Sequence, residues 1–322
     1  MTLTALADTL RASRGFAHKR DIAAALTRLA AGRPKSLDQA VPVGDDCAAI
    51  ADGDGHLLFA IEGFVEDFVA QMPWFAGYCG VMVNVSDIAA MGGRPIAVVD
   101  AIWSRDAAGA DPVLEGLATA AERYRVPLVG GHSNLRAASG QLAVAIVGRA
   151  QRLLSSFNAR PGDALVVAID LRGEFMEPHP FWNASTSAPA ERLRADLELL
   201  PELAEAGLCD AAKDISMAGS IGTTLMLLES SGVGAEIDVD AVPRPAGVPL
   251  DRWLQAFPSF GFVLSLRPQR LGEVLARFAA RGIAAAEVGE VQEGSCLSLR
   301  QGAQRVLLWD HAEQSFIRGA VS

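Results

Sequence analysis

Lysine is nearly missing from this chain: only Lys19, Lys35 and Lys213 occur among 322 residues. Between Ser36 and Gly93 there is neither lysine nor arginine, and His56 is the one basic side chain. The formal net charge of −10 argues against a nucleic-acid surface. Cysteine is scarce as well. Cys47, Cys79, Cys209 and Cys296 form no C-x-x-C pair and have no histidine at ligand spacing. That pattern argues against a disulfide frame or a zinc site and for buried thiols in a reducing, cytoplasmic compartment. Long apolar runs are also absent: the best membrane candidate, residues 68–86, holds Gln71, Pro73, Asn84 and two glycines, so no spanning segment is expected. Asp8 inside the first apolar run, with Arg11 and Arg14 after it, does not read as a signal peptide.

What fills the lysine-free span is acid. Asp38, Asp45, Asp46, Asp52, Asp54, Glu62, Glu66, Asp67 and Asp87 all fall in it with no local counter-charge. Two carboxylates about 4 Å apart repel by about 4 kcal/mol at an effective dielectric near 20, so acids that converge need a distant arginine, protonation or a metal. Oxygen-only ligands suit Mg²⁺. Residues 73–95 in the same span read as one helix, because Trp74, Tyr78, Val81, Val85 and Ile88 recur at steps of three and four. Gly92 and Gly93 provide its stop before Pro95. On a second stripe Asn84 and Asp87 are neighbours, with Gly80 and Met91 extending it, which makes a plausible cation site.

In chain order, residues 4–31 read as helix interrupted at Arg14 and Gly15, which puts His18, Lys19 and Arg20 at a helix start. They form either a solvated end or a basic clamp for an anion. A loop with Gly32 and Pro34 follows. Residues 41–50 read as strand, turn and strand with Gly44, Asp45 and Asp46 at the turn, and residues 57–61 as a strand placing Glu62 at a sheet edge. After the central helix come a strand at 96–103, a helix at 111–124 and a short buried strand at 126–129. The last runs into a loop, Gly130, Gly131, His132, Ser133 and Asn134, where backbone N–H groups could meet an anion.

A strand at 141–148 closes a first domain, and the turn at 160–163 opens a second, so residues 1–150 and 151–322 are the expected domains. Residues 171–189 read as a long polar-aromatic loop. Its stretch 172–186 is expected to close over substrate with Arg172, His179 and Trp182 as contacts. A helix at 189–205 leads to Asp214 and to a helix at 217–230, for which Ser216 is the expected N-cap. Gly219 and Gly222 would keep its first turn open to a phosphate. The remainder alternates strand and helix.

Five motifs stand in order: GDDCAAI at 44–50, NVSDIAAMGGRP at 84–95, GGHSN at 130–134, DISMAG at 214–219 and SFGFVLSL at 259–266. The set resembles the aminoimidazole ribonucleotide synthetase superfamily, which includes thiamine-monophosphate kinases and selenophosphate synthetases. The resemblance covers nearly the whole chain. It implies an α/β fold with mixed sheets: an N-terminal dimerising domain that holds ATP and Mg²⁺, then a C-terminal α/β domain. Carried over by motif, Asp45 or Asp46, Asp87 and Asp214 are metal ligands, Glu62 stands where many relatives place an Asp, and Asn84 helps bind nucleotide. Gly44, Gly130, Gly131, Ser133, Ser216 and Gly219 complete the nucleotide set, and Lys19 and His132 are the candidate catalytic groups.

Two departures are visible. His132 and Met217 stand where thiamine-monophosphate kinases usually carry acids, and Lys19 has only His18 before it where selenophosphate synthetases place a Cys or selenocysteine. The expected activity is ATP- and Mg²⁺-dependent phosphoryl transfer to a small molecule by a homodimer. The alternatives are a ligase or cyclase reaction and a non-catalytic nucleotide-binding partner.

Overall fold

The computed structural model describes residues 1–30 and 42–318, so the loop with Gly32 and Pro34, Asp38 and the first residue of the expected 41–50 strand lie outside the described residues. The chain forms two compact units, one of residues 46–153 with 188–202, the other of 1–45, 154–187 and 203–322. The division thus differs from a single cut after residue 150. The reason lies in the first two helices, α1 (Leu3–Arg11) and α2 (Arg14–Ala30), whose apolar stripe, Leu3, Leu6, Leu10 and Phe16, is buried in the core of the second unit. The break between the helices falls at Ala12 and Ser13, where the Ser13 hydroxyl accepts from Phe16 N–H. Gly15 is helical, and a Cβ there would stand 2.1 Å from the Met217 carbonyl oxygen. His18, Lys19 and Arg20 therefore occupy the second turn of α2 and not its start.

The first unit is a five-stranded sheet backed by helices. Its strands β1 (Ala48–Asp52), β2 (Gly55–Phe64), β3 (Arg94–Trp103), β4 (Leu128–Asn134) and β5 (Gln141–Ala150) lie in the order β1-β2-β5-β3-β4, all antiparallel except β3 with β4. Only β1 forms from the expected strand pair at 41–50, because residues 43–47 are turn and bend. β2 runs on through Glu62, so that residue sits within a strand. Helices α3 (Glu66–Gln71), α4 (Pro73–Ala90), α5 (Ala107–Tyr124) and α6 (Ala190–Leu197) complete the unit.

The central helix α4 is buried on nearly all sides, since the sheet takes one flank and α5 another. Two glycines permit the second contact: a Cβ at Gly77 would lie 2.0 Å from the Val113 carbonyl oxygen, and one at Gly116 2.0 Å from that of Trp74. The two backbones touch. On the sheet side a Cβ at Gly80 would meet Val144 at 2.7 Å, and one at Gly148 would meet Ile88 at 2.7 Å. The helix stops at Met91, with Gly92 at φ +73° and Gly93 N–H bonded to the Ile88 carbonyl.

The opposite face of this sheet is apolar and bare. Ile50, Phe59, Ile61 and Val99 are 56%, 51%, 65% and 40% exposed. Register places Ile61, Ala145 and Val99 in one row across three strands.

The second unit holds a seven-stranded mixed sheet in the order β15-β14-β10-β13-β6-β12-β9. Its strands are β6 (Ala164–Ile169), β9 (Ala211–Asp214), β10 (Gly234–Asp238), β12 (Gly261–Leu266), β13 (Ala284–Gln292), β14 (Cys296–Gln301) and β15 (Gln304–Asp310). β6 is buried throughout, as its unbroken apolar run predicts. A small sheet joins β7 (Glu174–Phe175), β8 (Phe181–Asn183) and β11 (Phe257–Pro258). The expected 189–205 helix is divided at Glu198 into α6 and α7 (Leu199–Glu205). Helices α8 (Gly219–Ser231), α9 (Leu250–Trp253) and α10 (Leu271–Ala280) follow.

The end of the described chain is pinned from inside. Glu229 on α8, 4% exposed, accepts from Ser315 Oγ and Phe316 N–H at 2.8 Å each and from Ile317 N–H at 2.7 Å. Phe316 then packs on Phe16 at 5.0 Å and on Trp309 at 5.4 Å between ring centroids.

Candidate functional site

The acidic turn separates its two aspartates. Gly44 takes φ +123°, a conformation that a side chain would strain, and the chain then presents Asp45 and Asp46 in succession. Asp45 accepts from Ser155 Oγ at 2.7 Å and Ser156 N–H at 3.1 Å on Oδ2, and from the Ser156 hydroxyl on Oδ1. Those bonds commit its carboxylate to protein donors, which corrects its candidacy as a metal ligand. Asp46 instead offers a carboxylate oxygen within 4.8 Å of one from Asp87. Asp87 is 6% exposed and Asp46 half-buried.

The pair fits a hard cation. Oxygens about 2.1 Å from Mg²⁺ stand about 4.2 Å apart when opposite one another, and about 5 Å apart around Ca²⁺. A separation no greater than 4.8 Å therefore needs only small side-chain adjustment to hold one ion.

Asn84 is fully buried, and both its amide hydrogens are spent, on the carbonyls of Gly80 at 2.7 Å and Val144 at 3.0 Å. It ties α4 to β5 from inside, which corrects its expected contact with nucleotide. Its Oδ1 is buried with no hydrogen-bond partner. Glu62 is exposed and outside the Asp46 and Asp87 cluster, a second correction.

Gly130, Gly131, His132, Ser133 and Asn134 lie in edge strand β4 and not in a loop, paired with residues 99–103 of β3. Alternation then decides which face each one serves. His132 pairs with Ala101, and Ala101 with Ala143, so it points to the bare apolar face, away from α4 and Asp87. Within one chain His132 cannot act beside Asp87. Gly131 pairs with Asp100 on the α4 side, where a Cβ would stand 2.2 Å from Asp100 Oδ1. The glycine clears space for a carboxylate that burial pushes above its ordinary pKa. Asp100 was legible only as an acid inside an apolar strand, PIAVVDAIW.

In the second unit the structure redirects most of the expected binding residues. α8 begins at Gly219 with Ala218 as its cap, so Ser216 is not the N-cap; its backbone N–H instead donates to Thr223 Oγ1. A Cβ at Gly219 would stand 1.9 Å from the Leu254 carbonyl oxygen, and one at Gly222 2.9 Å from the Phe16 ring. These glycines close onto protein, which accounts for the missing side chains without a ligand.

Arg172 Nε lies 2.7 Å from Asp170 Oδ1 and its Nη2 3.1 Å from Oδ2, with Nη1 on the Arg281 carbonyl. Trp182 is 5% exposed, and its Nε1 donates to the Asp170 carbonyl at 2.9 Å. Both brace the 171–187 segment, which is built structure and not an open loop. His179 stacks on Phe181 at 5.0 Å and is half-buried. Lys19 is half-buried on α2, and Asp214, 6% exposed, ends β9 beside Lys213, a buried lysine that sequence reasoning passed over. Cys47, Cys79 and Cys209 are buried and free, with the Cys209 thiol pushed up to about 12 by burial, whereas Cys296 is exposed.

Two mixed-sheet α/β units with an acidic turn against a central glycine-bearing helix define the class. The AIR synthase related protein N-terminal domain matches residues 44–150 and the C-terminal domain 160–300, and the chain belongs to this family. It is 47% identical over 309 residues to an uncharacterized protein of Synechocystis sp., covering 96% of each chain. It is 28% identical over 298 residues to the thiamine-monophosphate kinase of Pyrococcus horikoshii, covering 84% of this chain and 90% of that protein. Among solved structures, Thermotoga maritima PurL complexed with ATP superposes with a TM-score of 0.72 at 22% identity, over 85% of this chain and 46% of that one. The chain thus spans about half the PurL chain, and that likeness concerns the fold. Among the described residues no helix is long and apolar enough to cross a membrane.

Proposed function

We propose that this protein binds ATP with Mg²⁺ and transfers a phosphoryl group to a small molecule. The observation that carries the reading is the convergence of the Asp46 and Asp87 carboxylates within 4.8 Å on α4 and the acidic turn. Thiamine-monophosphate kinase relatives and the ATP complex of the PurL fold support it. Asp46 and Asp87 would hold the cation between their carboxylates. Bound Mg²⁺ supplies charge neutralisation at phosphate oxygens; the chain's part is to position the reactants and exclude water. Buried thiols and the acidic charge suit a cytoplasmic enzyme that avoids nucleic acid.

Calorimetry with AMPPCP tests the reading. Affinity should appear with Mg²⁺ or Mn²⁺ and fall at least tenfold in EDTA, and equal affinity in both would overturn it. ADP release on screening phosphate-acceptor metabolites then identifies the substrate.

We further propose a homodimer through the bare face of the five-stranded sheet. Ile50, Phe59, Ile61 and Val99 form an apolar surface that needs cover, and a two-fold partner would supply the same surface in return. Light scattering should give twice 33.8 kDa for the unaltered chain and 33.8 kDa for Ile61→Asp. Ile61 is 65% exposed, so the substitution should leave the protomer folded. A monomeric unaltered chain at micromolar concentration would remove the proposal.

A further inference from the structure

The metal reading leaves unexplained why the acidic turn carries two aspartates when only one converges with Asp87. The other is held by a device built from a separate part of the sequence. Ser155, 3% exposed, and Ser156, fully buried, surround the Asp45 carboxylate with two hydroxyls and one backbone N–H. The serines are themselves fixed. Ser155 N–H donates to the Asp210 carbonyl at 3.1 Å. Ser231, the last residue of α8, donates its hydroxyl to the Ser156 carbonyl at 2.7 Å and accepts from Ala159 N–H at 3.0 Å. Gly44, at φ +123°, brings no side chain of its own to hold the turn.

We infer that Ser155 and Ser156 are positioning residues for metal binding: by clamping Asp45 they fix the peptide that carries Asp46 and so aim the Asp46 carboxylate. This rests on the reading of Asp46 as a metal ligand. The chemistry is that of an outer-shell partner. A flexible turn would lose side-chain and backbone freedom each time a cation bound, whereas a clamped turn has lost it already. Because the clamp uses a carboxylate, its hydroxyl and N–H donors form charge-assisted bonds, stronger than those to a neutral residue. Asp45 is thus required as an anion that never meets the metal.

The test is Mn²⁺ binding, read from the free-ion signal in electron paramagnetic resonance, on the full chain without nucleotide. The panel is the unaltered protein, Asp46→Asn, Asp45→Ala, Ser155→Ala and the Ser155→Ala/Ser156→Ala pair, each with a thermal melt. The expected result is loss of Mn²⁺ affinity in Asp46→Asn, and a fall of about 10- to 100-fold in Asp45→Ala and the double variant, the range found for outer-shell partners. Ser155→Ala keeps the Ser156 hydroxyl and N–H on the carboxylate, so it should stay folded and lose only a few-fold.

If Asp46→Asn weakens Mn²⁺ binding while folded clamp variants bind as the unaltered chain does, even with lowered melting temperature, the clamp is structural only and the inference is overturned. If the double variant and Asp45→Ala do not fold, Ser155→Ala alone decides: unchanged affinity overturns the inference and a few-fold loss supports it. If the unaltered protein does not bind Mn²⁺, or Asp46→Asn binds equally well, the underlying metal reading fails instead.

Discussion

Asp87→Asn is expected to weaken MgATP binding by about 30-fold while leaving the melting temperature within a few degrees. The sign follows from what the carboxylate faces. Asp46 and Asp87 bring two negative charges within 4.8 Å, and a divalent cation between them is attracted to both. One unit-charge pair at about 4 Å is worth about 4 kcal/mol at an effective dielectric near 20. Most of that is cancelled when Mg²⁺ sheds a water, and a net loss of about 2 kcal/mol corresponds to about 30-fold. Without metal the sign reverses. Removing the Asp87 charge then relieves repulsion with an anionic nucleotide, so AMPPCP in EDTA should bind the variant as well as the unaltered chain or better. Calorimetry with and without Mg²⁺ checks both halves, and equal metal dependence in the two proteins would dismiss Asp87 as a ligand.

Glu229→Ala is expected to cost about 3–5 kcal/mol of stability, because several buried donors each lose a hydrogen bond to a charged acceptor, worth about 1.5–3 kcal/mol apiece. The loss would not be made up by solvent. Three donors, Ser315 Oγ, Phe316 N–H and Ile317 N–H, lose their acceptor at once, and the side chain that held them is only 4% exposed. Phe316, seated on Phe16 and Trp309, would lose its anchor with them. Ser315→Ala removes only one of these bonds and should cost about 1 kcal/mol. Thermal denaturation followed by circular dichroism should show the first variant melting on the order of 10 °C below the parent, at about 2–4 °C per kcal/mol for a chain of this size class. Equal melting of Glu229→Ala and the parent would mean that the clasp contributes nothing.

Where sequence and structure agree, the signal was local. α4 was legible because its apolar positions recur at helical steps and its stop is a glycine pair, both properties of adjacent residues. The position of Asp87 on that helix was legible for the same reason. β4 was misjudged because both its faces are open: with no buried side, GGHSN shows no alternation and reads as loop. The face that His132 takes was hidden with it, since only the strand register reveals it.

The choice between Asp45 and Asp46 lay beyond sequence for a different reason. It depends on Ser155 and Ser156, more than a hundred residues away, and no local pattern marks two serines as partners of an aspartate. Glu229 and Asp100 left a fainter trace, each an acid in an otherwise apolar element. Gly219 and Gly222 misled in the opposite direction. Close approach by a ligand and close approach by another part of the chain ask for the same residue, and here Leu254 and Phe16 occupy the space.

The burial of α1 and α2 among residues from the far end of the sequence sets an order on synthesis. Phe16 leaves the ribosome before its partners Trp309 and Phe316, which emerge almost three hundred residues later. In the meantime residues 46–153, an uninterrupted stretch that carries the whole five-stranded sheet, can pair its strands and seat α4. The apolar stripe of the first two helices must wait, exposed, for the last strands to arrive. At about 5–20 residues per second that wait lasts on the order of 15 seconds or more. Until then the nascent chain holds a folded five-stranded unit preceded by an unsatisfied helical segment, and the emergence of β15 and Phe316 completes the second core.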